Sequence, residues 1–226
     1  MFSLHLIYTL DVLGTIIFAA SGALIAYEQQ QNGLSAVLYA VLTALGGGTI
    51  RDMLLSQQPV FWIQSPAYLF LASAVGLLTF MLATTPPLRL SSLWLADAAS
   101  LAAFSIVGTQ VMLRSPAFVP LSFLHWIMPP LMGMITSVGG GFTRDIISQS
   151  ISPRVPFVMK HPHYALCALI TGSIYCLLSI LLAIVQASDT YAILGAMTIS
   201  LLMFVFLPVG LGPADFKKQR AERLLP

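Results

Sequence analysis

The chain alternates between long apolar segments and short polar ones. A helix needs about 20 consecutive apolar residues to cross the hydrocarbon core of a membrane. Seven segments approach this length. Six of them lie at about residues 6–27, 34–55, 66–84, 92–113, 162–186 and 189–211, and the fifth along the chain ends near residue 150. Short polar or proline-containing stretches, such as 28–33, 84–89 and 152–156, separate them. The pattern predicts an all-α integral membrane protein with seven transmembrane helices.

The composition supports this fold class and excludes several functions. Of 226 residues, 58% are hydrophobic and 8% are charged, whereas a soluble domain carries about 25% charged residues. The net charge of +2 is too small to indicate a nucleic-acid partner. The sequence has no Ser-His-Asp, HExxH or paired-carboxylate arrangement, so we expect no enzyme, no cofactor and no bound metal beyond permeating ions.

One motif occurs twice, and both copies lie inside apolar segments. Thr-x-x-Gly-Gly-Gly-x-x-Arg-Asp begins at Thr43 and again at Thr136, 93 positions later. Its members are Thr43, Gly46, Gly47, Gly48, Arg51 and Asp52 in the first copy and Thr136, Gly139, Gly140, Gly141, Arg144 and Asp145 in the second. Each glycine costs a helix about 1 kcal/mol relative to alanine, and a charged pair at membrane depth is costlier still. A role for both segments is therefore expected.

The repeat extends beyond this motif. Asp11 and Phe18 match Asp97 and Phe104 at an offset of 86, and the Pro-x-Tyr at Tyr68 matches that at Tyr164 at an offset of 96. Because each copy has three helices, an odd number, the second copy must enter the membrane from the opposite side. This predicts two inverted three-helix repeats. The predicted units are residues 1–86, residues 87–186, a seventh transmembrane helix over 187–212 and a cytoplasmic tail over 213–226.

The triple glycines predict that the second and fifth helices are broken. Carbonyl groups freed at a break would have to face protein or a water-filled cavity, and carbonyl oxygens suit small cations. The predicted ion path therefore runs along Gly46, Gly47, Gly48, Gly139, Gly140 and Gly141, with Thr43 and Thr136. The alternative is close packing, in which consecutive glycines let two backbones approach each other.

The buried charges predict two ion pairs between helices. Counted along the predicted helices, Asp11 and Arg51 lie at similar depth near one face, and Asp97 and Arg144 at similar depth near the other. Asp52 and Asp145 directly follow the arginines, but adjacent helical residues do not face each other. We therefore expect the pairs Asp11–Arg51 and Asp97–Arg144, in a structural role.

The basic residues predict the orientation. Arg89, Arg154, Lys160 and the basic residues of the tail fall on one side of the predicted membrane, and Arg114 falls on the other. Because cytoplasmic loops carry the excess of basic residues, the C-terminus is expected in the cytoplasm and the N-terminus outside a prokaryotic inner membrane.

The twin glycine motifs, the Asp-x-x-Gly-x-x-x-Phe-Ala-x-Ser-Gly of residues 11–22 and the three-plus-three-plus-one plan resemble a known family. They are similar to the bacterial branch of the trimeric intracellular cation channel (TRIC) family, whose bacterial relatives are also labelled glycine-transporter-domain proteins. The resemblance implies a homotrimer in membrane lipid. Each protomer would hold its own pore, lined by the second and fifth helices and conducting K⁺ and Na⁺.

Two other functions remain open. A secondary transporter for glycine or another small amino acid would use Arg51 or Arg144 to hold a substrate carboxylate, and inverted repeats often serve alternating access. In a purely structural membrane protein, the glycines would only pack.

Overall fold

The computed structural model describes residues 2–83, 93–115, 124–151, 163–184 and 189–206. Every regular element in these ranges is a helix. The helices are α1 (Phe2–Glu28), α2 (Gly33–Leu54), α3 (Phe61–Gln64), α4 (Ala67–Leu82), α5 (Leu93–Arg114), α6 (Leu124–Ile151), α7 (His163–Ile184) and α8 (Asp189–Phe206). With α3 as a short extra turn, the seven longer helices match the seven predicted ones.

The helices pack in the arrangement that the repeat predicts. In the first half α1, α2 and α4 contact one another, and in the second half α5, α6 and α7 do the same. The halves meet through two pairs of equivalent helices, α1 with α5 and α2 with α6. The last helix, α8, packs against α7 and α5. The predicted unit boundaries stay a prediction, since residues 84–92 and the tail over 213–226 lie outside the described residues.

The polar turn predicted at residues 28–33 ends α1 and starts α2. Gln30 adopts the left-handed conformation with φ of 57°, and the Gln31 amide donates to the Ala26 carbonyl at 3.0 Å. This pattern closes the C-terminus of a helix. Asn32 then caps α2, because its side-chain oxygen accepts from the Ser35 amide at 2.9 Å. The polar residues thus satisfy backbone groups that both helix ends leave open.

The helices differ from the sequence prediction at the triple glycines. We expected breaks there, but α2 runs unbroken through Gly46–Gly48 and α6 through Gly139–Gly141. The prediction of broken helices is therefore wrong. The cost of glycine in a helix is modest, and the close helix contact that these glycines permit offsets it.

Within the part of the chain that the structure describes, three helices are long and apolar enough, by length and composition, to cross a membrane: His5–Glu28, Gly33–Leu54 and Tyr164–Leu182. Two shorter apolar helices cover Ala67–Leu82 and Thr190–Ser200. The helices α5 and α6 have 22 and 28 residues. Within them Asp97, Arg144 and Asp145 are buried against protein, and Arg114 is exposed at the last residue of α5. Contacts between helices rest largely on small residues, as is common where helices pack in lipid.

Candidate functional site

The helices α2 and α6 cross at their triple glycines with the backbones in contact. A Cβ atom added at Gly47 would overlap the carbonyl oxygen of Thr136, and one added at Gly140 would lie 2.5 Å from the carbonyl oxygen of Thr43. Both contacts involve backbone, which cannot rotate away as a side chain can. Only glycine permits this approach, because packed helices with side chains at the contact lie about 8–10 Å apart.

The two threonines of the motif bring oxygen atoms to the crossing. The Thr43 hydroxyl donates to the Tyr39 carbonyl at 2.6 Å, and the Thr136 hydroxyl donates to the Met132 carbonyl at 2.7 Å. Both threonines are buried. Since its only proton is used inside its own helix, each hydroxyl offers its surroundings acceptor capacity alone. The Thr43 hydroxyl lies against Gly22 of α1, and the Thr136 hydroxyl lies against Gly108 of α5.

The other glycines of the motif meet different neighbours. A Cβ atom added at Gly46 would lie 2.6 Å from the Thr143 hydroxyl oxygen, one added at Gly48 2.5 Å from a ring carbon of Phe61, and one added at Gly139 3.1 Å from the Gly47 Cα atom. Gly141 is buried. The Thr143 hydroxyl also lies 3.0 Å from the Leu42 carbonyl and so links α6 to α2. All six glycines are thus in tight contact or buried, whichever function the crossing serves.

Arg144 of α6 is buried in a network that joins three helices. Its Nη1 donates to the two carboxylate oxygens of Asp97 on α5, at 2.9 and 3.0 Å, and to the hydroxyl of Ser21 on α1, at 2.6 Å. The Ser21 hydroxyl in turn donates to Asp97 at 2.8 Å. Nε of Arg144 lies 3.3 Å from Asp145. The predicted pair of Asp97 and Arg144 is present, and it neutralises a guanidinium that would be costly to bury alone.

Arg51, the equivalent residue in the first half, has a different partner. Its Nε and Nη2 each lie 2.8 Å from Oδ1 of Asp52, the next residue in the chain. Asp11 instead accepts a hydrogen bond from the Tyr68 hydroxyl at 2.6 Å. Among the described residues, the ion pairs do not include one between Asp11 and Arg51, so that predicted pair is wrong.

The physical reason for this error is the length of the arginine side chain. Adjacent positions on a helix point about 100° apart, which separates short side chains. The guanidinium of Arg51 sits at the end of a flexible stem and reaches back to Asp52, and Arg144 reaches Asp145 in the same way. Each arginine therefore finds a carboxylate beside it in sequence, and only Arg144 also finds one on another helix.

Three residues of this site were missed in the sequence. Tyr68 had a signal, because it recurs as Tyr164 at an offset of 96. Ser21 also had a signal, because it is the serine of the Asp-x-x-Gly-x-x-x-Phe-Ala-x-Ser-Gly motif of residues 11–22. Phe61 lies in the stretch between α2 and α4 and packs on Gly48, a contact that no spacing in the sequence indicates.

Comparison with known proteins gives the family. A family model described as "Glycine transporter" matches residues 8–84 and 94–180. The UPF0126 inner membrane protein YadS of Escherichia coli (strain K12) is 36% identical over 173 residues, which cover 75% of this chain and 77% of that protein. The residues that the family model matches include both glycine motifs and all four residues of the predicted ion pairs.

Two solved structures share the fold. The TRIC trimeric intracellular cation channel orthologue from Rhodobacter sphaeroides superposes with a TM-score of 0.77 at 28% identity, covering 88% of this chain and 95% of that one. A second TRIC cation channel, from a study of conductance, gives a TM-score of 0.71 at 27% identity over 87% and 90% of the two chains. The chain therefore belongs to the membrane-protein family described as glycine transporter, together with the UPF0126 proteins, and has the fold of TRIC channels.

Proposed function

We propose that the protein is a cation channel whose ion path is lined by α2 and α6. The observation that carries this proposal is the likeness to the Rhodobacter sphaeroides TRIC channel, at 28% identity over 88% of the chain. The acceptor oxygens of the Thr43 and Thr136 hydroxyls on these two helices support it, because such oxygens can replace part of the hydration shell of a cation.

The charges near the crossing also favour cations. The group around Arg144 holds the carboxylates of Asp97 and Asp145. The group around Arg51 holds that of Asp52, with Asp11 bound to Tyr68 close by. Each group thus has two carboxylates for one guanidinium. An excess of negative charge beside a path with little water attracts cations and repels anions.

The identity of the permeating ions and the oligomeric state are part of the same proposal. The permeating ions are K⁺ and Na⁺, and the protein is a homotrimer in the membrane with one path in each protomer. In support, the Rhodobacter sphaeroides protein is described as a trimeric cation channel. The exposed leucines of α2, Leu34, Leu38 and Leu42, recur every four residues and form an apolar face suited to lipid or to a neighbouring protomer.

A transporter for glycine is the second candidate, because the family model carries that description. Such a transporter needs a cationic group for the substrate carboxylate. Arg51 is held by Asp52, and Arg144 by Asp97 and Asp145. A substrate would have to displace these carboxylates, so the contacts of the two arginines favour the channel.

The two candidates are separated by one pair of measurements on purified protein. In a planar bilayer under a KCl gradient, a cation channel gives discrete current steps that reverse near the K⁺ equilibrium potential. In liposomes, a transporter gives saturable uptake of labelled glycine. We expect the current and no saturable uptake. Saturable uptake without current steps would reject the channel.

A further inference from the structure

The segment between α2 and α4, residues 55–66, folds back onto α2 beside its triple glycine. It contains α3, whose first residue is Phe61. The Phe61 ring lies against the backbone of Gly48, so that a Cβ atom added there would be 2.5 Å from a ring carbon. Gly48 therefore allows an aromatic ring to sit directly on the helix, next to the crossing of α2 and α6.

Two polar contacts hold this segment in place. The Phe61 amide donates to Oδ2 of Asp52 at 2.8 Å, and the indole N–H of Trp62 donates to the hydroxyl of Thr49 at 3.0 Å. Asp52 uses its other oxygen to bind Arg51. The carboxylate of Asp52 thus ties the segment to the arginine of the motif.

The Phe61 ring also covers charged and polar groups. The Arg51 guanidinium lies 5.5 Å from the centre of the ring, within the range of a cation–π contact. The ring also packs edge-on against Tyr68 with centroids 5.1 Å apart, and Tyr68 donates to Asp11. The ring therefore contacts both Arg51 and the tyrosine that binds Asp11.

We propose that residues 55–66 form a lid and that Phe61 is the gate residue at this end of the ion path. This inference rests on the proposed channel function. An apolar ring at a constriction blocks hydrated ions, since it offers no group that replaces their hydration shell. When the lid lifts, Phe61 leaves Gly48, and the carboxylates of Asp52 and Asp11 lose their cover. The same carboxylate that holds the lid closed becomes available to entering cations.

The lid is anchored at its centre by buried Val60 and half-buried Phe61 and Trp62, while the other two residues of its helix are exposed. Its helix has four residues, none of them buried. Its polar attachment to α2 consists of the two hydrogen bonds at Asp52 and Thr49, beyond the backbone bonds that end α2. Segments with few buried contacts open at lower free energy than the core.

Single-channel recording in planar bilayers tests the gate. We expect Phe61→Ala to raise the open probability about fivefold, as loss of two aromatic contacts allows, with the preference for K⁺ over Cl⁻ unchanged. Phe61→Trp should lower the open probability, because a larger ring still covers Gly48. Trp62→Phe, which removes only the indole N–H donor, should give a smaller rise. Phe70→Ala on α4 is the matched control, because that ring is 72% exposed, and it should leave gating unchanged.

The outcomes separate the two proposals. If the wild-type protein gives no cation current, the channel function falls and the lid with it. If it conducts and Phe61→Ala behaves as Phe70→Ala does, the channel stands and the gate is rejected. Loss of current in Phe61→Ala, with a normal gel-filtration profile, would also reject the gate and assign the ring to packing.

Discussion

The rings of Phe18 and Phe104 pack against each other with centroids 5.3 Å apart, and the two residues occupy equivalent positions in the two halves. Gly47 and Gly140, also equivalent, meet in the same region. Equivalent residues touch each other only at a two-fold axis. The pseudo-two-fold axis of the repeat therefore passes through the glycine crossing, with Phe18 packed on Gly140.

Because the two backbones touch at this axis, substitution of the central glycine should destabilise the protein most. We expect Gly47→Ala to lower the free energy of unfolding by about 1–3 kcal/mol, because the added methyl group meets the Thr136 carbonyl and overpacks the crossing. Gly33→Ala at the start of α2 is the matched control. Its methyl group would meet the Phe80 ring at an ordinary contact distance of 3.7 Å, so it should leave the stability nearly unchanged.

Thermal unfolding of the two purified variants in detergent measures this difference. Bilayer recording adds a second readout, since a larger side chain at Gly47 or Gly140 also enters the proposed ion path. Gly47→Leu should abolish the current. Equal unfolding temperatures for the two alanine variants would contradict the backbone contact.

The sequence predicted the helices, the repeat and the pair of Asp97 and Arg144, because hydrophobic runs and helical depth are local properties of the chain. It did not predict that α2 and α6 stay helical at the glycines. Whether a helix breaks there depends on what packs against it, and the partner backbone lies 93 positions away in sequence. The contact of Arg51 with Asp52 was missed for a related reason, since it depends on a rotamer and not on spacing.

The positions of the chain ends are tested by cysteine labelling. The basic residues predict that cysteines placed at Lys218 and at Asn32 react with a membrane-impermeant reagent only from the cytoplasmic side. One at Gln58, in the proposed lid, should react only from outside. The native cysteines Cys167 and Cys176 are buried, so their background is low. Labelling of Asn32 and Gln58 from the same side would overturn the predicted topology.

The network around Arg144 should contribute more to stability than any other charged group of the crossing. Removing one partner of a buried ion pair costs about 3–5 kcal/mol, so Asp97→Asn and Arg144→Gln should each lower the thermal stability strongly. The double variant should lose less than the sum. Ser21→Ala should cost about 2–3 kcal/mol, because it removes two hydrogen bonds to charged groups. Strict additivity in the cycle would show that Asp97 and Arg144 do not interact.

The two equivalent aspartates differ in their partners, and this difference gives the sharpest test. Asp97 binds a guanidinium and the Ser21 hydroxyl, whereas Asp11 accepts from the neutral hydroxyl of Tyr68 and is partly buried. An asparagine retains an acceptor oxygen for that hydroxyl. Asp11→Asn should therefore cost about 1 kcal/mol or less, well below the cost of Asp97→Asn, although the two substitutions are chemically identical. Tyr68→Phe removes this bond outright and should cost at least as much as Asp11→Asn, which keeps an acceptor, and the combination should cost little more than Tyr68→Phe alone. Unfolding temperatures of the four variants, measured in one detergent, test this difference in cost.

If Asp11→Asn destabilises the protein as strongly as Asp97→Asn, and Arg51→Gln is coupled to it, then Asp11 pairs with Arg51 after all and the two ends of the crossing are equivalent.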